Sequence, residues 1–90
     1  MASQGIKFLE FAFSETAVAN PISPNSAIIE YIVGNVNRLE VVCETRSGLL
    51  STYVFDLKEG DRILVYNDVI HVPVRCTSRV SGNAIECSPR

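Results

Sequence analysis

Ninety residues suffice for one small domain, and a chain of this length buries only about two-thirds of the surface it would expose unfolded; burial between copies is the simplest way to widen its thin stability margin. With 47% hydrophobic and 20% charged residues it is too apolar for a disordered tail. Eight basic against ten acidic residues give a net charge of -2 and no Lys or Arg cluster that could neutralise a run of phosphates, which speaks against nucleic acid as a partner.

The opening "MASQGIKFLEFAF" has no basic leader ahead of its apolar residues, and Lys7 and Glu10 interrupt the apolar run, so no export signal is expected. Nothing approaches the roughly 18 uninterrupted apolar residues of a membrane span, and a cytoplasmic location is the expectation. Gly, Pro, Asn and Asp divide the chain into short runs rich in Val, Ile, Tyr and Phe, the spacing of an all-β protein. A single all-β domain over residues 1–90 is predicted: a small antiparallel barrel or sandwich of about six to seven short strands, mostly meander hairpins.

In chain order the strands fall near residues 5–13, 27–33, 37–45, 49–57, 62–66, 69–80 and 84–88. After the first comes "SETAVANPISPNS", residues 14–26, which is long for a connection and carries two prolines. It reads as a plain surface loop, with a surface arm or a strand pairing with another copy as alternatives. In "SAIIEYIVGN" a helix capped by Ser26 and ended by Gly34 competes with a strand. Three Ile, a Val and a Tyr in seven positions favour the strand, because such side chains lose rotamer freedom in a helix.

Around "CETRSGLLSTYVF" a two-residue turn would waste the aromatics. A three-residue loop of Arg46, Ser47 and Gly48, with Gly48 at positive φ, sets Leu39, Val41 and Cys43 on the face of Phe55, Tyr53 and Ser51. Around "VYNDVI" a two-residue Asn67-Asp68 turn pairs Tyr66 with Val69, so Ile63 and Val65 share a face with Ile70 and Val72. Pro73 cannot donate to a ladder and predicts a bend within 69–80. A Gly82-Asn83 turn would then set Val80 opposite Ile85 and Arg79 opposite Glu86.

The three cysteines, Cys43, Cys76 and Cys87, form no Cys-x-x-Cys pair, and each alternates with apolar neighbours in strand phase. They read as buried free thiols in a reducing compartment. His71 is one position out of phase with Ile70 and Val72, which turns it outward and away from a Cys3His site; it reads as a hairpin surface histidine. In "LKEGD", Gly60 takes a conformation other residues resist and Asp61 hydrogen-bonds nearby backbone. Glu40 and Glu44 share a strand face but stand about 13 Å apart, too far to act on one bond. With no Walker loop, dinucleotide fingerprint, nucleophile elbow or zinc-protease signature, no enzymatic activity, cofactor or metal is expected. Tyr31 and Tyr53 follow the core phase and only Tyr66 looks outward, so a base-stacking platform lacks its partners.

The strongest signal is the second face. Ile6, Phe8, Ile28, Ile32, Leu50, Val54, Leu64 and Tyr66 fall opposite the best core positions, where a half-solvated antiparallel sheet should be polar. Sheet packing absorbs part of this, and the remainder should form a patch that marks a protein contact. Phe8, Ile28, Ile32, Leu64 and Tyr66 are the expected oligomer interface, most simply of a two-fold dimer.

The expected function is a non-catalytic structural or protein-interaction module acting as a homo-oligomer, its partner being itself or another protein. A small-ligand-binding or oligonucleotide-binding β-barrel is the alternative. In outline, "LKEGDRILV", the hairpin after it and "VSGNAIEC" resemble the small barrels of tailed-phage head-tail joining proteins. The resemblance covers about a third of the chain and implies an accessory connector role.

Overall fold

The computed structural model describes residues 3–22, 28–73, 76 and 78–82. Among them are nine strands and no helix: β1 (Ser3–Lys7), β2 (Glu10–Phe13), β3 (Val18–Pro21), β4 (Ile29–Ile32), β5 (Asn37–Glu44), β6 (Leu50–Leu57), β7 (Arg62–Tyr66), β8 (Val69–Pro73) and β9 (Ser78–Gly82). They make two antiparallel sheets, ordered β1-β8-β7-β4-β3 (sheet A) and β2-β5-β6-β9 (sheet B). The all-β expectation holds, in the form of a sandwich-like pair of sheets.

One buried cluster lies between them. Ile6, Ile63, Ile70 and Val72 enter it from sheet A, and Leu39, Val41, Tyr53 and Phe55 from sheet B. Strand alternation produces this: β5 buries every second residue from Asn37 to Cys43, and β6 does so from Ser51 to Leu57. Each large side chain fully enclosed here, Phe55 and Leu39 first among them, contributes about 1.5–3 kcal/mol relative to exposure.

Both predicted hairpin registers are present. Leu39, Val41 and Cys43 stand opposite Phe55, Tyr53 and Ser51. Gly48 lies at φ 83, its N–H donating to the Thr45 carbonyl at 3.0 Å, while the Thr45 N–H reaches the Leu49 carbonyl at 2.7 Å. This is a three-residue loop with a glycine bulge. Tyr66 pairs with Val69, and Asn67 and Asp68 take φ of 52 and 60, the left-handed pair of a type I′ turn.

Three features differ from the expectation of six to seven strands. Residues 5–13 are two strands in different sheets: the Phe8 N–H donates to Asp68 of the sheet A hairpin, and the next N–H, of Leu9, donates to Val42 of sheet B. A straight strand cannot point both Ile6 and Phe11 at one core, because their spacing is odd. The handover at Phe8–Leu9 changes the phase and lets both face inward. Ile6 and Phe8, expected on the outward phase, are therefore inward residues: Ile6 is 5% exposed and Phe8 packs against the core.

The stretch 69–80 likewise divides after Pro73, as the predicted bend requires, with β8 in sheet A and β9 beside β6 in sheet B. The third difference is in 14–26, expected to be a plain loop. It contains β3, which pairs with β4 of the same chain at the edge of sheet A. The predicted 84–88 strand and the Val80–Ile85 and Arg79–Glu86 pairings lie outside the described residues.

The cysteine expectation is corrected in part. Cys43 and Cys76 are buried, but Cys43 is disulfide-bonded and only Cys76 is a free thiol among the described residues. Strand phase reports the side to which a cysteine points, not its distance from another. The reading of three free thiols in a reducing compartment therefore does not hold at Cys43. Cys87 lies outside the described residues. No helix among those described is long and apolar enough to cross a membrane.

Candidate functional site

The inward-facing registers of the two sheets leave two outer faces of opposite character. On sheet A, Ile63 and Val65 pair with Tyr31 and Ile29 and face the core, so Leu64 and Tyr66 of β7 face outward with Glu30 and Ile32 of β4. Ile28 precedes Ile29 and joins the same face. On β8, Val69 and His71 stand opposite Tyr66 and Leu64; Ser3, Gly5 and Lys7 of β1 complete one side. Val18 and Asn20 of β3 complete the other, followed by Ile22, whose N–H donates to the Ile28 carbonyl at 3.0 Å.

Four of the five predicted interface residues therefore come together. Ile28, Ile32, Leu64 and Tyr66 lie on this face, and each is only half-buried. Phe8 does not join them: its ring meets Phe11 edge-to-face with centroids 5.0 Å apart, and Phe11 in turn meets Tyr31 at 5.6 Å, at the margin of the core. Val18 and Ile22, 64% and 52% exposed, extend the apolar face and were not anticipated, because the prolines around them signal a loop. Their signal was the alternation Val18, Asn20, Ile22. His71 points outward as expected, but it is half-buried and its ring stacks on Tyr66, with centroids 4.8 Å apart and planes 15° from parallel.

Charge on this face is sparse and mixed. Arg62 reaches Glu30 across β7 and β4 at 3.5 Å, with side-chain exposures of 67% and 17%. At that length, with the arginine in water, the pair contributes little to monomer stability. Lys7 is exposed at the β1 edge.

The outer face of sheet B carries Glu10 and Ala12 of β2, Arg38, Glu40, Val42 and Glu44 of β5, and Thr52, Val54 and Asp56 of β6. Four carboxylates alternate with small or half-buried apolar groups, the composition of a solvated face. An open hollow on it is lined by Glu10, Phe11, Ala12, Glu40 and Val42. Leu50, 58% exposed, lies at its hairpin end, and Val54 is half-buried.

The remaining polar candidates have structural roles. Gly60 lies at φ 92; its N–H donates to Val33 at 2.8 Å, and the Val33 N–H returns to the Asp61 carbonyl at 2.9 Å. The Asp61 carboxylate, 3% exposed, accepts the Lys58 N–H at 2.9 Å, with the Cys76 thiol 4.0 Å away. The Gly60 conformation and the Asp61 bond to nearby backbone are as expected, and the turn also stitches the β6–β7 connection to the end of β4. Buried Asn37 accepts from the Ser14 hydroxyl and the Glu15 N–H, both at 2.9 Å, and its amide donates to the Glu15 carbonyl at 3.2 Å, which anchors the exit from β2. Among the described residues no three His, Cys, Asp or Glu side chains converge to hold a metal ion.

No protein-family model, no curated protein and no solved structure matches this chain.

Proposed function

We propose that this protein is a non-catalytic interaction module that works by self-association, two copies packing the outer faces of sheet A against each other about a two-fold axis. The observation that carries this reading is the contrast between the faces: Ile28, Ile32, Leu64 and Tyr66 stand together on one, with exposed Val18 and Ile22 beside them, whereas carboxylates dominate the other. Contiguous apolar surface of this kind marks contacts.

Two further features favour a second copy as the occupant. The face holds one carboxylate and one well-exposed guanidinium, Glu30 and Arg62, on neighbouring strands. A two-fold operation can bring each opposite its counterpart, which makes the face complementary to itself. The edges of sheet A, in contrast, resist strand addition. Since Ile22 bonds to Ile28, the neighbouring Pro21 lies at a position whose missing N–H faces the open edge of β3, and Lys7 marks the edge of β1. Proline and lysine are common guards of exposed edges.

Size sets the strength. Five strands about 4.8 Å apart and four or five residues long at about 3.3 Å each span on the order of 400 Å² of flat face. Side-chain relief enlarges this, but it remains short of the roughly 800 Å² per partner of a standard interface. Self-association is accordingly expected in the weak, concentration-dependent class.

Sedimentation velocity across the micromolar range tests the reading. The sedimentation coefficient should rise with concentration for the native chain and stay at the monomer value for Leu64→Glu, with far-UV circular dichroism unchanged. A native chain that sediments as a monomer at every concentration would remove the proposal.

A further inference from the structure

The Tyr66–His71 stack lies within the face to which the previous section assigns self-association, and His71 is the chain's single histidine. From this geometry, and resting on that reading, we propose that self-association is gated by pH: protonation of His71 separates the copies.

Protonation of His71 is tolerated in one state and opposed in the other. In a separated copy His71 is half-exposed to water, its ring flat against Tyr66, so a charge placed on it stays hydrated. In the packed pair the same charge would be taken from water into a contact made largely by Leu64, Ile32 and Ile28, where an unpaired ion is strongly disfavoured.

Within one copy the surrounding charges offer no compensation. His71 is flanked in register by Gly5 of β1 and Leu64 of β7, neither of them charged. The other charged or titratable groups facing outward on these strands are Lys7 on β1, Arg62 and Tyr66 on β7, and Glu30 on β4; Asp68 sits in the β7–β8 turn. The one carboxylate within the face, Glu30, already faces Arg62 at 3.5 Å. Protonation therefore adds a cation to a face already bearing Lys7 and Arg62, and a two-fold contact doubles the resulting repulsion. Histidine is the side chain whose charge ordinarily changes between pH 5 and 8, so acidification across that range is the perturbation that tests the gate.

The experiment is sedimentation velocity on the native chain, His71→Gln and His71→Phe at about pH 7.5 and about pH 5.5, which bracket imidazole protonation. The native dissociation constant should rise at least about tenfold on acidification, whereas both variants should change by less than about twofold. The phenylalanine variant keeps a stacked ring and the glutamine variant keeps polarity, so a variant that fails to fold does not leave the question open. Equal association of the native chain at both pH values overturns the gate and leaves self-association standing. An equal acid loss in the His71 variants also overturns it, because the responsible charge would lie elsewhere. A native chain that is monomeric at both pH values overturns the gate and the self-association reading together.

Discussion

Leu64 and Val54 occupy matching positions in the two halves of the sandwich: each lies on an inner strand, points away from the core and is half-buried. Their neighbours differ. Leu64 stands opposite Glu30 and His71, flanked on its face by Ile28, Ile32 and Tyr66. Val54 stands opposite Glu40 and Arg79, with Thr52 and Asp56 along its own strand. An apolar residue at an outward position is ordinary by itself; the company it keeps separates an apolar face from a solvated one.

Both faces rest on one core, and the largest perturbation tests that support. Phe55→Ala empties a fully enclosed position between the sheets and should cost about 3–5 kcal/mol in urea unfolding. The comparison itself is sharpened by introducing the same charge into each sheet. Leu64→Glu should weaken association at least about tenfold, the signature of an unpaired carboxylate brought into an apolar contact. Val54→Glu should leave association unchanged; equal loss from both would erase the distinction between the faces.

Smaller effects probe the turns that hold sheet A in shape. At Gly60 a Cβ would meet nothing within 4 Å, so Gly60→Ala should cost about 1–2 kcal/mol through backbone conformation alone. Asp68→Gly, in the type I′ turn, should add about 0.5 kcal/mol by relieving a left-handed residue, read as a higher denaturation midpoint.

The local pairings were legible because turn chemistry and side-chain phase constrain each other. Only a glycine bulge at Gly48 places Tyr53 and Phe55 inward, and only a two-residue turn at Asn67-Asp68 aligns Val65 with Ile70. The corner at Phe8–Leu9 was hidden, although its trace was present as a conflict of phase between Ile6 and Phe11. Pro73 announced a bend but carried no information about which sheet receives β9. β3 was obscured by its prolines, since an edge strand pairs on one side only and tolerates Pro21 there. Of the expected interface residues, Ile32, Leu64 and Tyr66 on unbroken strands, and Ile28 just before β4, lie on an outer face as their phase indicates. Phe8, beside the corner, does not.

Contact between copies through sheet A is tested most directly by dilution of a sample labelled at the Ile, Leu and Val methyl groups, followed by nuclear magnetic resonance. Concentration-dependent shifts should concentrate at Ile28, Ile32 and Leu64, with Val54 and Val42 unmoved. Shifts confined to Val54 and Val42, or none at any concentration, would contradict the account.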